Sequence, residues 1–595
     1  MLNKISALQI SSWNASATSN YLDQGHCLFH SINGGYCNSS LLNSPNFLDL
    51  GGALAAFGLI FAVYQLRKPE WDVVLRIRDG WQQKLFWILG GAGLLISLLR
   101  VLMTQVPLTY LPYPLDTPIF YEILAYFFFI ASPISLIYFA NKKSGLFKEK
   151  SARKFYEVLV RELSSSKDER VNAVIEILLT NFRSICEFAS RDDLDIEIRG
   201  SAIAILDVIL SDETVVKIFT TKRLDALLYI FSEIEKYAIN RRHSGIGIPK
   251  IVQNLFYDKE SFLYKQLDRK GLALSYDIYE AIFASPIILS NFDLFGYPTL
   301  GFSIQKDGSD LSINVFIRSL SKAIETYLKT GSVPARHIND GLSHLSGMFG
   351  SLCSKLSVEE NRGVDTKYSL ESEWWSLHNI ANFLGHDYPF LAYQDELNID
   401  VIEKEKSASK ADFNSNLTIN DAIAAVLYKA FAQLSSLKKT NDIYHIVLEL
   451  FQCMTHEENL KQGYRDPFEK RIWEQIANNV INRYYPAVLR TYLIYIGFSL
   501  ASDEPQRTGW VGEQAERMRR LLYVDLKPLL EKDEKMANKE LMRNILLPDC
   551  MDYKDGKFTY KLGFGDGPEK LILPPPDGSA SALENIDLEN SLSLI

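Results

Sequence analysis

Three long apolar segments lie within the first 140 residues of this 595-residue chain. They are Phe47–Leu66, Leu85–Met103 and Pro118–Ala140. Each is long enough to cross the hydrocarbon core of a bilayer as a helix, which takes roughly 18 or more residues. No comparable segment follows Ala140. The sequence therefore predicts a domain of three transmembrane helices at residues 47–140, followed by a much larger region outside the membrane.

Positive charge is distributed unevenly around these segments, and the distribution predicts their orientation. Lys and Arg concentrate in short loops on the cytoplasmic side of a membrane. Cations separate the first segment from the second and follow the third, but none lies between the second and the third. We expect an integral protein of a plasma or inner membrane with its N-terminus outside, residues 67–84 inside, 104–117 outside and everything after 140 cytoplasmic. The cations are Arg67, Lys68, Arg76, Arg78 and Lys84, then Lys142, Lys143, Lys148, Lys150, Arg153 and Lys154.

The segment before the first predicted helix, residues 1–46, is rich in Ser, Asn and Gly and has a single cation, Lys4. It lacks the basic region and apolar core of a signal peptide. We interpret it as a flexible extracytoplasmic tail. Cys27 and Cys37 lie in it, on the side of a membrane where disulfides persist. The two cysteines either form a disulfide with each other or stay as free thiols.

Three ionisable residues lie in or beside the predicted membrane segments: Asp49, Arg100 and Glu122. Charged groups inside a membrane are costly and often mark a functional site. They could form a gate or an ion path, but three helices are too few to enclose such a path within one chain, so it would require an oligomer. The alternative, which we favour, is that Arg100 pairs with Glu122 to fix the packing of two helices.

The region after the membrane segments is acidic. Residues 151–595 contain 52 of the 63 Lys and Arg and 64 of the 72 Asp and Glu, a net charge of −12. A broad nucleic-acid surface needs clustered positive charge, so we expect no nucleic-acid partner. The basic stretch at residues 142–154 is the exception, and it is suited to contact with anionic headgroups.

Helical periodicity dominates this region. Apolar residues recur on one helical face in residues 168–189 and again in residues 195–210, and the two segments align at an offset of 27 residues. Their acidic openings followed by small and aliphatic residues resemble the helix pairs of HEAT or armadillo arrays. Further helices are predicted at 224–239, 314–330, 340–355, 370–384, 419–437, 442–454, 467–482, 487–501 and 512–530. The apolar stretch at 487–501 is too short to cross a membrane, and we interpret it as a buried helix.

Changes in composition predict the domain boundaries. We expect one cytoplasmic helical domain at 141–395, a linker or long loop at 396–416 and a second helical domain at 417–550. Lys554, Asp555 and Gly556 separate two short strand-like segments, which predicts a β-hairpin within a C-terminal segment at 551–577 that also holds a Pro run. The polar, acidic residues 578–595 are predicted to be a disordered tail.

Two groups of residues have side chains and spacing that could hold a metal ion. His337, Asp340 and His344 share one helical face, and His378 lies upstream of the adjacent pair His386 and Asp387. The His-Asp pair resembles that of HD-type metal phosphohydrolases, which implies a metal-dependent hydrolase. The surrounding residues depart from that family's pattern, however, and Gly341 weakens the first helix. We favour packed or capping polar residues, and we expect no metal and no other cofactor.

No nucleotide or catalytic motif is found. The glycine-rich segments 244–250 and 563–567 lack the spacing of a P-loop, and neither opens a helix after a strand in a βαβ unit, so we interpret both as turns. No catalytic residue can be named, and the chain is expected not to be an enzyme.

The predicted fold is therefore a membrane protein of otherwise all-α class. Three N-terminal transmembrane helices precede a large cytoplasmic helical region, solenoid-like in part, and a small C-terminal β-hairpin. We predict that the helical region is a membrane-anchored scaffold that binds a protein partner. One alternative is an oligomeric effector that perturbs the bilayer, as toxic or defence proteins do, and it implies a homo-oligomer. A second alternative is the metal-dependent hydrolase.

Overall fold

The fold is described from a computed structural model, which divides into two compact units at residues 1–142 and 143–595. Each unit is treated separately below. The residues described are 50–65, 68–78, 80–105, 118–164, 168–268, 278–296, 310–362, 370–388, 400–401, 418–437, 440–451, 459–482, 489, 491–493, 496, 509–533, 547, 551–561, 570–576 and 578–582.

Four helices make up the described part of the first unit. They are α1 (Leu50–Gln65), α2 (Pro69–Ile77), α3 (Trp81–Gln105) and α4 (Pro118–Asn141). Two of them contain stretches long and apolar enough to cross a membrane, Trp81–Leu102 in α3 and Ile119–Asn141 in α4. These two give weak support for an association with a membrane.

The prediction of three membrane helices is wrong for the residues that the structure describes. The first predicted segment, Phe47–Leu66, forms the helix α1, which has only 16 residues. At about 1.5 Å per residue this helix extends about 24 Å, whereas a hydrocarbon core is roughly 30 Å thick. The apolar composition of the segment was recognised correctly, but the helix that it forms is short. Residues 47–49 and 66 lie outside the described residues.

The two long helices pack closely against each other, and small residues allow this. Gly93 of α3 lies beneath the ring of Phe129, where an added Cβ would come within 2.9 Å of two ring carbons. Ser132 of α4 donates a hydrogen bond from its Oγ to the carbonyl of Phe86 in α3, at 2.9 Å. Small residues at such an interface let two apolar helices approach, and a buried hydroxyl bonded across it holds them together.

The helix α2 explains the mixed composition of the segment between the first two predicted spans. Its apolar residues Val73, Val74, Leu75 and Ile77 are buried, and the helix packs against α4. Trp71 donates from Nε1 to Oδ1 of Asn141 at 3.2 Å. The segment is therefore a short amphipathic helix that covers one end of α4.

The described part of the second unit is mostly helical. After a single 3₁₀ turn at Glu149–Ser151, its helices are α5 (Ala152–Leu163), α6 (Asp168–Ser190), α7 (Ile196–Ala204), α8 (Glu213–Thr221), α9 (Leu224–Lys236), α10 (Gly247–Tyr257), α11 (Phe262–Asp268), α12 (Ile278–Phe283), α13 (Pro286–Asn291), α14 (Asp310–Thr330), α15 (Ala335–Asn361), α16 (Glu371–Asn382), α17 (Ile419–Leu434), α18 (Thr440–Phe451), α19 (Asn459–Asn482), α20 (Trp510–Arg520) and α21 (Lys527–Asp533).

The starts of several of these helices are determined by capping side chains. The carboxylate of Asp212 accepts hydrogen bonds from the backbone N–H groups of Thr214 and Val215 at the start of α8. The hydroxyl of Thr418 accepts one from Asp421 at the start of α17. Such side chains satisfy N–H groups that have no partner within the helix. Apolar residues at helical spacing then bury one face of each helix in the core.

The two segments that resemble HEAT or armadillo helices form α6 and α7, which pack against each other. The second of them is shorter than predicted, because its C-terminal part, Ile205–Ile209, is a π-helical turn. A repeat array beyond this pair stays a prediction.

Three π-helical turns occur in the described part of this unit: Ile205–Ile209, Phe383–Asp387 and Leu521–Leu526. A neighbouring segment approaches each one closely. A Cβ on Gly247 would overlap the carbonyl oxygen of Leu206, and a Cβ on Gly385 would overlap that of Glu449. At the third turn, Asp525 accepts a hydrogen bond from the backbone N–H of Ala582 at 3.1 Å. The π-helical turns therefore lie where other segments pack against the helix.

A small antiparallel sheet follows the helices. Its strands are β1 (Met551–Lys554), β2 (Lys557–Lys561) and β3 (Lys570–Ile572), in the order β1-β2-β3. The predicted hairpin is confirmed: Asp555 and Gly556 both have positive φ, as a two-residue turn between antiparallel strands requires. The third strand was not predicted.

The predicted linker at residues 396–416 divides helices that pack together. The helices α15 and α17 lie on either side of it in sequence and are in contact, as are α16 and α18. The finer domain boundaries stay predictions, and residues 396–399 and 402–416 of the linker lie outside the described residues. So do the tail at 1–46 with both of its cysteines, the segment 583–595 and most of the predicted helix at 487–501.

Candidate functional site

The predicted ion pair between the two long apolar helices is present. Arg100 of α3 lies with its Nη2 3.0 Å from Oε2 of Glu122 in α4, and the two side chains are only 9% and 15% exposed. One turn earlier on α3, the Oγ of Ser97 donates to the carbonyl of Gly93 at 2.9 Å. The pair thus joins two helices of one chain. Asp49, the third member of the predicted cluster, lies outside the described residues.

The first predicted metal group lies on the helix α15. The imidazole of His337 donates from Nδ1 to the carbonyl of Leu289 at 2.8 Å. Burial, together with the nearby carboxylate of Asp293, raises the pKa of Asp340. Burial lowers the pKa of His344. Gly341 lies within this helix, and an added Cβ there would come within 2.8 Å of Leu320, so the glycine permits close packing of two helices.

The second predicted group is divided between two local contacts. His378 of α16 bonds through Nδ1 to Oε2 of Glu449 in α18 at 2.8 Å, and His386 bonds to the adjacent Asp387 at 3.1 Å. Within the described ranges, no three His, Cys, Asp or Glu side chains are placed to hold a metal ion. The hydrolase hypothesis therefore has no metal site in this part of the chain.

The first glycine-rich segment opens the helix α10. The Oγ of Ser244 accepts a hydrogen bond from the N–H of Ile248 and donates one to the carbonyl of Leu206, both at 3.3 Å. The segment follows the helix α9 and the turn after it, not a strand, so the dinucleotide-binding arrangement is not formed. The second segment, residues 563–567, lies outside the described residues.

The strongest candidate site is a surface that sequence reasoning missed. It is formed by Glu371, Trp375 and His378 of α16 with Leu448 and Glu449 of α18, and we call it the Trp375 surface. Trp375 is 59% exposed and Leu448 is 39% exposed. The neighbouring Trp374 is only 8% exposed. Adjacent residues on a helix are about 100° apart, so a Trp-Trp pair cannot bury both rings on one face, and this was the signal in the sequence.

Hydrogen bonds and ring contacts connect the residues of the Trp375 surface. The indole Nε1 of Trp375 donates to Oε1 of Glu371 at 3.3 Å. On its other side, the Trp375 ring lies 6.2 Å from the ring of His378, measured between centroids. His378 in turn contacts Glu449 across the two helices. The indole is therefore held by its neighbours while most of its surface faces solvent.

The two helices meet closely because Gly385 lies directly beneath the carbonyl of Glu449. Any larger residue would force the π-helical turn Phe383–Asp387 away from the end of α18. This contact positions Glu449 beside α16, where its carboxylate reaches His378. The Trp375 surface is thus supported by a close backbone approach as well as by side chains.

The charge of this region is negative. Residues 371–387 and 440–451 contain five carboxylates and no Lys or Arg: Glu371, Glu373, Asp387, Asp442 and Glu449. Of the four whose side chains are described, Glu373 is buried and pairs with Lys355 of α15, while Glu449 and Asp387 each contact a histidine. An exposed aromatic ring with carboxylates nearby is an arrangement that attracts cations.

A second polar cluster lies inside the protein, between α19 and α20. Gln514 accepts hydrogen bonds at its Oε1 from Trp473, at 2.9 Å, and from Tyr492, at 2.7 Å. Glu469 accepts a hydrogen bond from Trp510, and burial raises the pKa of Glu469 to about 7. The guanidinium of Arg517 lies 4.3 Å above the ring of Trp473. These side chains are largely buried, and we assign them to the core.

Comparison with protein-family models, with curated proteins and with solved structures finds no match to this chain.

Proposed function

We propose that this protein is a membrane-anchored platform on which the helical region binds a protein partner. The observation that carries the proposal is the exposed indole of Trp375 on a helix that packs against α18, which exposes Leu448. Tryptophan is enriched at the positions that dominate the energy of protein–protein interfaces. It also buries a large apolar area when a partner covers it. Such a side chain at an interhelical surface supports recognition of another protein.

The anchor is the pair α3 and α4. Their outer faces are apolar, with Leu95 61% exposed and Phe127 64% exposed. Two crossings would return the chain to the side from which it entered. The cations before α3 and after α4 support a cytoplasmic position for both ends of this pair, and so for the helical region. The expectation that the N-terminus lies outside depended on a membrane crossing by α1. Because α1 is not one of the two candidate membrane helices, this expectation is no longer supported.

The anchor is tested with charges on the exposed apolar face. We expect the double substitution L95E/F127E in the full chain to lower the fraction retained in membranes after alkaline carbonate extraction, because carboxylates in a hydrocarbon core are costly. The control is I196E, which places a carboxylate at the 88% exposed Ile196 of the helical region. Release of the unaltered chain by carbonate would contradict the anchor.

The platform is tested by isolating the full chain from its native membrane in maltoside and determining the mass of the complex. We expect a stoichiometric protein partner that is retained by I196S and lost by W375S, since both substitutions remove an exposed apolar side chain but only one lies on the Trp375 surface. Equal retention by the two variants, or the absence of any stoichiometric partner, would contradict the proposal.

A second candidate function is the oligomeric membrane effector, favoured by the ion pair Arg100–Glu122 within the two apolar helices. Charged residues in membrane segments often line functional sites. If this function is correct, overexpression of the chain should let an impermeant dye enter the cells, and R100L should abolish this entry. The control is R76L in α2, where the side chain is 39% exposed, and it should leave the entry unchanged. Dye entry that is unchanged by R100L, or no entry at all, would eliminate this candidate.

A further inference from the structure

We propose that the Trp375 surface binds a cationic peptide segment of the partner protein, with arginine side chains as the groups that it recognises. This inference rests on the proposed platform function and specifies the chemistry of its partner. It follows from three features of the described residues: the exposed face of an indole, carboxylates on both sides of it, and the absence of Lys and Arg from residues 371–387 and 440–451.

The first feature is the ring itself. The indole of Trp375 is fixed at one edge by the hydrogen bond from Nε1 to Glu371 and approached at another by His378. Fixing the edge leaves ring surface available, since the side chain is still 59% exposed. The face of an indole carries negative potential and is the best aromatic partner for a guanidinium or an ammonium group.

The second feature is the position of the carboxylates. Glu371 lies one helical turn before Trp375, and Glu449 lies on the adjacent helix beyond His378. A guanidinium stacked on the indole would therefore have a carboxylate within reach on either side. Arginine combines stacking on a ring with two parallel hydrogen bonds to a carboxylate, whereas lysine offers a single charged centre.

The third feature excludes other occupants of this surface. An acidic peptide or an anionic headgroup would meet the carboxylates of α16, of the π-helical turn after it and of α18, and these elements contain no Lys or Arg. A purely apolar segment would bury Leu448 and Trp375 but would also remove water from Glu371 and Glu449 without supplying either carboxylate with a positive charge, which is costly. A cationic segment covers the ring and neutralises the carboxylates at the same time.

The inference is tested with the full chain in maltoside and a short fluorescein-labelled peptide of alternating arginine, serine and glycine. Binding is followed by anisotropy, and a second peptide replaces every arginine with citrulline, which keeps the shape but lacks the charge. We expect saturable binding of the arginine peptide that weakens as salt is added, and at least tenfold weaker binding of the citrulline peptide, on the order expected for lost charge-assisted hydrogen bonds.

Substitutions locate the binding. We expect W375S to weaken binding of the arginine peptide about tenfold, as removal of a central aromatic residue does, and E449Q to weaken it roughly fivefold. E449Q keeps an acceptor for His378, so it provides a test that does not depend on the indole. The controls are I196S, which removes an exposed apolar side chain elsewhere, and E213Q, which removes an exposed carboxylate from α8.

The outcomes separate this inference from the platform function. No saturable binding, equal binding of the arginine and citrulline peptides, or equal binding by W375S and I196S would each overturn the inference. If the native partner is lost from W375S while the arginine peptide fails to bind, the platform stands and the cationic chemistry is wrong. If neither the native partner nor the peptide binds, both proposals fail.

Discussion

Asn181 shows how much a single buried side chain can hold in place. Its Oδ1 accepts hydrogen bonds from the backbone N–H groups of Leu146, at 2.9 Å, and Phe147, at 3.3 Å. Its Nδ2 donates to the carbonyls of Lys143, at 3.0 Å, and Ile177, at 2.8 Å. The amide thus attaches residues 143–147, the first residues of the second unit, to the helix α6.

We expect Asn181→Ala to lower the stability of the second unit by about 3 kcal/mol, because it leaves several buried backbone groups without partners at about 1–3 kcal/mol each. The measurement is the thermal unfolding midpoint of the full chain in maltoside. Asn172→Ala is the matched control, since Asn172 is exposed on the same helix, and its midpoint should hardly change. Equal midpoints for the two variants would show that the amide does not stabilise the unit.

A second residue, Glu469, makes the stability of the second unit depend on pH. Burial raises its pKa in the folded protein to about 7, against the nearby positive charge of Arg517, which lowers it. Between its usual pKa and about 7 the folded state binds more protons than the unfolded state, so stability falls as pH rises through this range. The contribution is on the order of 3 kcal/mol and is fully present only below the usual pKa of a glutamate.

We therefore expect the unfolding midpoint to decrease between pH 5 and pH 7 and the decrease to be smaller in Glu469→Gln, which stays neutral. Glu531→Gln serves as the control, because Glu531 has a half-exposed side chain, at 49%, in the same part of the chain. A pH profile of Glu469→Gln that matches that of the unaltered protein would exclude Glu469 as the group responsible.

At the scale of elements, the pair Arg100–Glu122 holds α3 against α4. Removing one partner of a largely buried ion pair leaves the other charge uncompensated, at a cost of about 3–5 kcal/mol. Replacing both with apolar residues removes the desolvation cost along with the attraction. We expect R100L and E122L each to lower the unfolding midpoint of the chain in maltoside, and R100L/E122L to restore most of the loss. A double variant as unstable as the sum of the single ones would show that the two residues act independently.

A second prediction at this scale concerns the π-helical turn Phe383–Asp387 and α18. We expect Gly385→Ala to destabilise the protein by about 3 kcal/mol, because the added Cβ meets the backbone of Glu449, which cannot move as a side chain can. Gly200→Ala in α7 is the control: a Cβ there meets nothing within 4 Å, and helix propensity favours alanine by about 1 kcal/mol. Thermal midpoints that shift in the same direction for both variants would contradict this account.

The same elements show what the sequence could predict. Apolar periodicity predicted most of the described helices, because the burial of one face determines where a helix forms. For example, the helix predicted at 314–330 corresponds to α14, Asp310–Thr330. The turn at Asp555 and Gly556 was predicted because its residues determine its conformation. The π-helical turns were not, since they depend on close approaches by segments distant in sequence, such as Glu449 to Gly385.

The candidate site was less predictable for a related reason. The ion pair Arg100–Glu122 could be predicted because two charges in apolar helices have few available partners. The Trp375 surface depends on the contact between α16 and α18, whose residues Trp375 and Glu449 are more than 70 positions apart in the sequence. Periodicity describes each helix alone and does not indicate which helices meet. The Trp-Trp pair indicated an exposed ring but not its acidic neighbours.

At the scale of the whole molecule, the number of crossings determines which residues share a side of the membrane. If α3 and α4 both cross, Lys84 and Lys142 lie on the same side, and from the cations around both positions we predict that this side is the cytoplasm. Both side chains are exposed, so each position can carry a reactive cysteine. The comparison of these two positions does not depend on whether α1 crosses.

We expect K84C and K142C, each in a chain whose Cys27, Cys37, Cys453 and Cys550 are replaced by serine, to react with an impermeant maleimide in inside-out vesicles and to be protected in intact cells. Cys186 and Cys353 can stay, because both are buried, and burial raises their thiol pKa and keeps them unreactive. Glu213→Cys in the helical region reports the cytoplasmic side directly. Labelling of K84C and K142C from opposite sides would mean an odd number of crossings between them. Labelling of all three positions in intact cells would show that the orientation is the opposite of the one predicted.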